Sequence, residues 1–120
     1  LGIDGLIISN TTIKRHSYLR SKNQVEIGGL SGKPLFLDST ILLKKMYNLT
    51  NGQIPLIGVG GISSGSDFYE KIKAGASLVQ LYTALIYQGP SIIYKIKKEL
   101  INCLVTDGFK NISEAVGKET

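Results

Sequence analysis

Cysteine occurs once in the 120 residues, at Cys103, which rules out an internal disulfide framework and suits a reducing compartment. Histidine also occurs once, at His16, with no second histidine or carboxylate at metal-ligand spacing, so the sequence offers no metal site and His16 reads as a solvated loop residue. No apolar run approaches the ~20 residues of a membrane-spanning helix, and no signal peptide, linker or low-complexity tract is visible. The formal charge of +5 comes from cations scattered along the chain, among them Lys14, Arg15, Arg20, Lys44, Lys71, Lys73, Lys95 and Lys98. Without a helix-turn-helix, RNP or zinc-finger pattern beside them, they read as solvated faces and not as a nucleic-acid surface.

What is present is a repeated pattern of strand, polar turn and helix. The first unit has the strand Gly5–Ile8, a long polar loop from Ser9 to Ser39 and a helix over Thr40–Asn48, with Ile41, Leu42, Met46 and Leu49 available to cover a sheet. The second has the strand Pro55–Val59 and a helix entered through Ser64-Gly-Ser-Asp67, a capping arrangement that satisfies free amides, with Phe68 and Ile72 on one face. The third has the strand Ser77–Tyr82 and a helix opened by Gly89-Pro90, with Ile93, Ile96, Leu100 and Leu104 at helical spacing and Lys95, Lys98 and Glu99 turned outward. Asn111–Gly117 predicts one or two further helical turns. The short apolar runs lack strict alternation, as in parallel strands buried on both faces.

Two strand ends carry the strongest local signal. Ile54–Gly65 ends its strand in Val59-Gly60-Gly61, and Ala74–Thr83 ends in Tyr82-Thr83, so backbone N–H groups at both ends can face an anion. In a (β/α)8 barrel the loops after the last two strands are the usual phosphate site, so the fold expected is the C-terminal three β/α units of a TIM (β/α)8 barrel with parallel strands. A complete barrel needs about 250 residues. The chain begins at Leu1, directly ahead of a core strand, and residues 1–120 are therefore expected to be the C-terminal portion of one barrel domain whose earlier strands are absent.

Ser9-Asn10-Thr11-Thr12 stands where the first strand ends. Asn10 offers an acceptor and an NH2 donor that could read a planar ligand edge, although the same tetrapeptide is equally an Asx or ST turn that starts a loop. Gly28–Pro34 could press its backbone against a cofactor, but Pro34 stands where a Walker A loop requires Ser or Thr. Gly58-Val-Gly60-Gly61 lacks the acidic residue of a dinucleotide fingerprint. Cys103 suits packing, and Asp38, Asp67 and Glu70 suit capping and dipole compensation at helix starts. No credible general base remains, which fits a barrel whose cofactor does the hard chemistry.

Asn10–Thr12, Gly28–Leu35, Ile57–Gly65, Glu70–Ile72, Ala74–Thr83 and Gly89-Pro90, six blocks in order over about Gly2 to Gly117, together resemble the C-terminal third of a quinone-dependent (class 2) dihydroorotate dehydrogenase. The resemblance implies an FMN-containing flavoprotein, an oxidoreductase of de novo pyrimidine (UMP) biosynthesis that oxidises dihydroorotate to orotate and passes electrons to a membrane quinone. By position it implies that Ser9 touches FMN and that Asn10 and Thr11 hydrogen-bond the pyrimidine. Ser31 and Gly32, Gly60 and Gly61, and Tyr82 and Thr83 line the FMN phosphate and ribityl side. Ser9 stands where Thr is commoner and keeps the hydroxyl.

The family's serine base, flavin-holding lysine, further substrate-reading asparagines and quinone-channel helices have no counterpart here, so no catalytic residue is assigned. The resemblance implies membrane contact and quinone access through a missing N-terminal region, at a bacterial or mitochondrial inner membrane. The 120 residues alone are expected to be inactive and not to hold FMN. Two other readings are another phosphate-ligand TIM-barrel enzyme and a non-catalytic remnant of a split or decayed gene.

Overall fold

A computed structural model describes residues 2–119; Leu1, on which the expectation about the chain's start rests, and Thr120 lie outside the described residues. Three strands, β1 (Leu6–Ile8), β2 (Leu56–Val59) and β3 (Leu78–Gln80), form one parallel sheet in the order β1-β2-β3. The register pairs Leu6 with Leu56 and Ile57 with Leu78, so all three strands run in the same direction and end at the same edge. Helices α1 (Phe36–Leu49), α2 (Gly65–Lys73), α3 (Thr83–Gln88) and α4 (Ile92–Thr106) follow the strands. Each of the three predicted units is present, with every strand shorter at one or both ends than the apolar run suggests.

The helix-facing side of the sheet carries Ile8 and Leu56, which are buried with Leu43, Tyr69, Ile72 and Leu100 in one core. The opposite side carries Ile7 and Leu78, both exposed. The strands are thus not buried on both faces as their composition predicts, because among the described residues nothing packs against that second face.

Helix α1 begins four residues earlier than predicted. Lys33–Leu35 form a 3-10 turn that runs straight into it, with Pro34 in the opening turn where its missing N–H costs nothing. The inward face also differs from the predicted one: Ser39, Thr40 and Leu43 are buried, whereas Ile41, Leu42 and Leu49 are exposed. Leu43, absent from the predicted face, is the residue of α1 that fills the core.

Helix α2 starts as predicted, with the Ser64 hydroxyl accepting from the Asp67 amide at 3.1 Å. In α4, Ile92 is buried in place of the exposed Ile93, while Ile96 and Leu100 face inward. Glu99 does not turn outward: it accepts the free Gly65 amide of α2 at 2.6 Å. The Tyr69 hydroxyl donates to Asp107 at 2.6 Å and ties α2 to the end of α4. Residues Ile112–Ala115 make the last turn, as a 3-10 helix that buries Ala115.

Truncation of the fully buried Leu43 side chain removes packing on every side. Leu43→Ala is expected to cost about 2–5 kcal/mol in a urea unfolding transition, and Ile41→Ala, on the exposed side of the same helix, no more than about 0.5 kcal/mol. The reverse order would contradict the orientation of α1.

Candidate functional site

Because the strands are parallel, the segments that leave them, residues 9–12, 60–63 and 81–83, gather at one edge of the sheet. The long loop after β1 joins them. It closes on itself through an antiparallel bridge, Thr12 with Leu30, whose amides exchange bonds of 3.1 and 2.7 Å. Next to the bridge a Cβ on Gly29 would lie 1.8 Å from the Thr11 hydroxyl oxygen, so glycine is what lets the two arms of the loop meet. Arg15 holds the rest of the loop. Its guanidinium donates to the carbonyls of Thr12 (3.2 Å), Gln24 (2.9 Å), Glu26 (3.1 Å) and Gly28 (2.7 Å). The sequence reading grouped Arg15 with solvated cations; the loop instead uses it as an internal scaffold, where a planar fork of donors replaces an apolar core.

The result is a cleft of about 620 Å3, within the size range of small-molecule sites. Ser9, Asn10, Thr11, Ser31, Gly32, Gly60, Gly61, Tyr82 and Thr83, nominated from four separate stretches of sequence, all line it. The loop reaches the last strand end through the Ser31 and Thr83 hydroxyls, 3.2 Å apart. Asn10, which lines the cleft, uses its side-chain oxygen locally, accepting the Thr11 amide at 2.7 Å, and its NH2 group makes no hydrogen bond to a described residue.

Around the floor of the cleft, Gly61 adopts φ 75°, and a Cβ there would sit 2.6 Å from the Phe36 nitrogen. No other residue type fits the turn. The amides of Gly61, Thr83 and Ala84 bond to no other described residue, while the Ser63 amide and hydroxyl both donate to Asp67 at 2.8 Å. Among the lining residues Lys33 is the one charged side chain and no carboxylate is present. Open amides, hydroxyls and a lysine without an acid make a donor set suited to an anion such as a phosphate.

Sequence reasoning missed α3. Thr83 followed by Ala84-Leu-Ile-Tyr-Gln88 and Gly89 is a legible helix with its stop, and it brings Tyr87 and Gln88 to the cleft wall. His16 is not a solvated residue either: it stacks on Tyr18 at 5.0 Å, and its Nε2 stands 3.3 Å from Asp38, which also pairs with Lys14. The largest departure is Lys71. Grouped with the solvated cations, it is fully buried beneath the glycine turn, with Nζ 2.6 Å from the Ser39 hydroxyl and 3.3 Å from the Phe36 carbonyl. Burial pulls its pKa down to about 8, against a weaker opposing pull from Glu70 and Asp67.

The family model described as dihydroorotate dehydrogenase matches residues 1–104. A relative from Arabidopsis thaliana named dihydroorotate dehydrogenase (quinone), mitochondrial is 60% identical over 99% of this chain and 26% of its own length. One from Azorhizobium caulinodans, named dihydroorotate dehydrogenase (quinone), is 54% identical over 99% of the chain and 33% of its own length. A solved structure described as ligand-free type DHODH from Eimeria tenella superposes with a TM-score of 0.94 at 48% identity, over 97% of this chain and 32% of that one. The three units therefore form part of an α/β barrel, and the chain spans about a quarter to a third of the relatives it matches.

Removing the Arg15 guanidinium should loosen the loop. Arg15→Ala is expected to raise amide hydrogen exchange across residues 24–30 on the order of 10-fold while leaving α2 and α4 unchanged, since local opening is set by local contacts. Unchanged exchange in the loop would show that the four carbonyl bonds do not organise it.

Proposed function

The chain belongs to the dihydroorotate dehydrogenase family, and for such a chain we propose the FMN-gripping and substrate-reading side of an enzyme that oxidises dihydroorotate to orotate with quinone as acceptor, in pyrimidine biosynthesis. The family implies a flavin in general; FMN is the flavin this reading assigns. Since the chain spans only part of its relatives, the activity is assigned to the complete barrel. The 120 residues alone are expected to give no turnover.

The observation that carries the reading is the cleft itself: nine nominated residues from four stretches line a single acid-free space. A phosphate monoester brings close to two negative charges and three acceptor oxygens. The open amides of Gly61, Thr83 and Ala84 supply donors for it, and the hydroxyls of Ser31 and Thr83 stand beside them. Ser9 follows β1 at the same rim, with Asn10 and Thr11 next to it, and this reading assigns it to the flavin side.

The chemistry that FMN supplies is two-electron transfer: dihydroorotate loses a hydride and a proton to become orotate, and two electrons with two protons end on the quinone as quinol. In that reaction this chain's residues bind and orient. The Asn10 NH2 group donates to a pyrimidine carbonyl, and the Thr11 hydroxyl, able to donate or accept, satisfies a second ring position. No histidine, cysteine or carboxylate lines the cleft among the described residues, so the proton acceptor is not assigned to this chain.

The names of the relatives place the Arabidopsis protein in mitochondria, and a mitochondrial or bacterial inner-membrane location is the corresponding reading here. Among the described residues no helix is long and apolar enough to cross a membrane. The residues described here make no membrane contact in this reading.

The test uses a chimera in which this chain replaces the matching segment of the Arabidopsis relative. It should purify with FMN and reduce a quinone analogue with dihydroorotate. Asn10→Ala should weaken orotate on the order of 10-fold, the cost of a lost hydrogen bond to a charged or polar ligand group, and leave FMN content unchanged. Unaltered orotate affinity would remove Asn10 from the substrate site, and absence of bound FMN in the parent chimera would remove the cofactor assignment.

A further inference from the structure

Lys71 is a buried ammonium group with no carboxylate within 4.0 Å among the described residues. Its partners are neutral: the Ser39 hydroxyl at 2.6 Å, the Phe36 carbonyl at 3.3 Å and the Phe36 ring, 4.9 Å to its centre. A charge taken out of water in this way is costly unless something repays it. Replacing buried charged groups by apolar side chains of similar volume is often neutral or stabilising, so the position of the charge needs an account. Lys71 does not line the cleft.

The connection between the two runs through Ser39. The Ser39 hydroxyl accepts from Lys71 and shares its one proton between the Phe36 carbonyl at 3.0 Å and the Gly60 carbonyl at 3.2 Å. The Gly60–Gly61 peptide is planar and trans, which sets its C=O and N–H in opposite directions. With the carbonyl drawn inward to Ser39, the Gly61 N–H faces away from the core, on the side of the cleft that Gly61 lines. A donor pulling on the carbonyl also polarises the peptide and strengthens that N–H as a donor.

We infer that Lys71 and Ser39 form a buried relay that aims and charges the Gly61 amide, so that binding of a phosphate in the cleft is coupled to the protonation of a lysine that does not touch it. Lys71 is a positioning residue, and the phosphate is the anion its charge lacks. This rests on the assignment of the cleft to FMN, and deepens it by naming what sets the affinity for the phosphate end.

The surrounding charges leave that role open to the ligand. On α2, Asp67 is committed to Ser63 at 2.8 Å and Glu70 is exposed. On α1, Asp38 pairs with Lys14 at 3.3 Å, with the His16 ring beside it. Glu99 of α4 is taken by the Gly65 amide, and the three strands contain no titratable residue. Two opposite pH dependences follow from a lysine whose pKa falls from 10.5 to about 8 on folding. Between those values the unfolded chain holds the proton and the folded chain does not, so stability rises with pH. Affinity for a phosphate falls over the same range, because the binding-competent protonated form is lost.

The chimera with the Arabidopsis relative is the full-length setting for the test, and riboflavin, which lacks the phosphate, is the control ligand. Flavin fluorescence would give both dissociation constants from pH 7 to 9. The parent chimera should lose on the order of 10-fold in FMN affinity over that range, as the protonated fraction declines, with riboflavin binding flat. Lys71→Met should weaken FMN on the order of 10-fold at pH 7, abolish the pH dependence and leave riboflavin within about twofold. Ser39→Ala, which keeps the lysine and nearly all of the core volume, should lower the FMN-to-riboflavin preference in the same direction and serves if Lys71→Met does not fold. An unchanged preference in Lys71→Met or Ser39→Ala, or a pH dependence that survives in Lys71→Met, overturns the relay alone. A parent chimera that binds neither flavin overturns the FMN assignment and the relay with it.

Discussion

The hydrogen-bonded pairing of β2 on both sides, with β1 and with β3, all three strands parallel, is the constraint on which the rest depends. Parallel pairing puts every strand's C-terminal end on one edge, so segments about 20 to 50 residues apart in sequence become neighbours without any direct attraction between them. It also forces each connection to cross back over the sheet, which is why helices follow the strands and why Leu43, Ile72 and Leu100, from three different helices, share one core with Ile8 and Leu56.

That arrangement delivers strand ends but not the loop between β1 and α1. A segment of this length with few apolar residues cannot bury a core of its own, and its backbone polar groups must be satisfied by other means. Arg15 does this with four carbonyl bonds, and the Thr12–Leu30 bridge does it with two more. The loop then presents Asn10 and Thr11 on one arm and Ser31 and Gly32 on the other. Electrostatics follow the same division of labour. Asp67 is committed to Ser63 and Asp38 pairs with Lys14, and no carboxylate is among the lining residues, so the lining keeps open donors and Lys33 without an opposing acid.

The parts legible in the sequence were those with a local cause. Three strand-and-helix units, the Ser64 cap and the glycine turn each announce themselves within a few residues, because capping geometry and backbone freedom are local properties. The errors have a common origin in tertiary context. The inward face of α1 is set by what the helix packs against, and the sheet and α2 take Leu43 into their core with Ile8, Leu56 and Ile72. Arg15, Glu99 and Lys71 all looked like solvent-facing charges, since nothing in a one-dimensional pattern shows the carbonyls, the free amide or the hydroxyl that each one meets. α3 was legible and missed, for Thr83 and Gly89 mark both of its ends.

By itself the sequence determined the unit order, the family and the identity of the glycines, hydroxyls and asparagine that border the cleft, because motif blocks and turn chemistry are written in consecutive residues. Only the tertiary structure decided that those blocks meet in one space, that a long polar loop is held by an arginine and a short antiparallel bridge, and that a lysine lies buried under the glycine turn with no carboxylate within 4.0 Å among the described residues. The physical reason is that partners and burial are properties of pairs distant in sequence. A strand end declares its own donors, but what stands behind it is set by the helices that the parallel sheet brings back across its face.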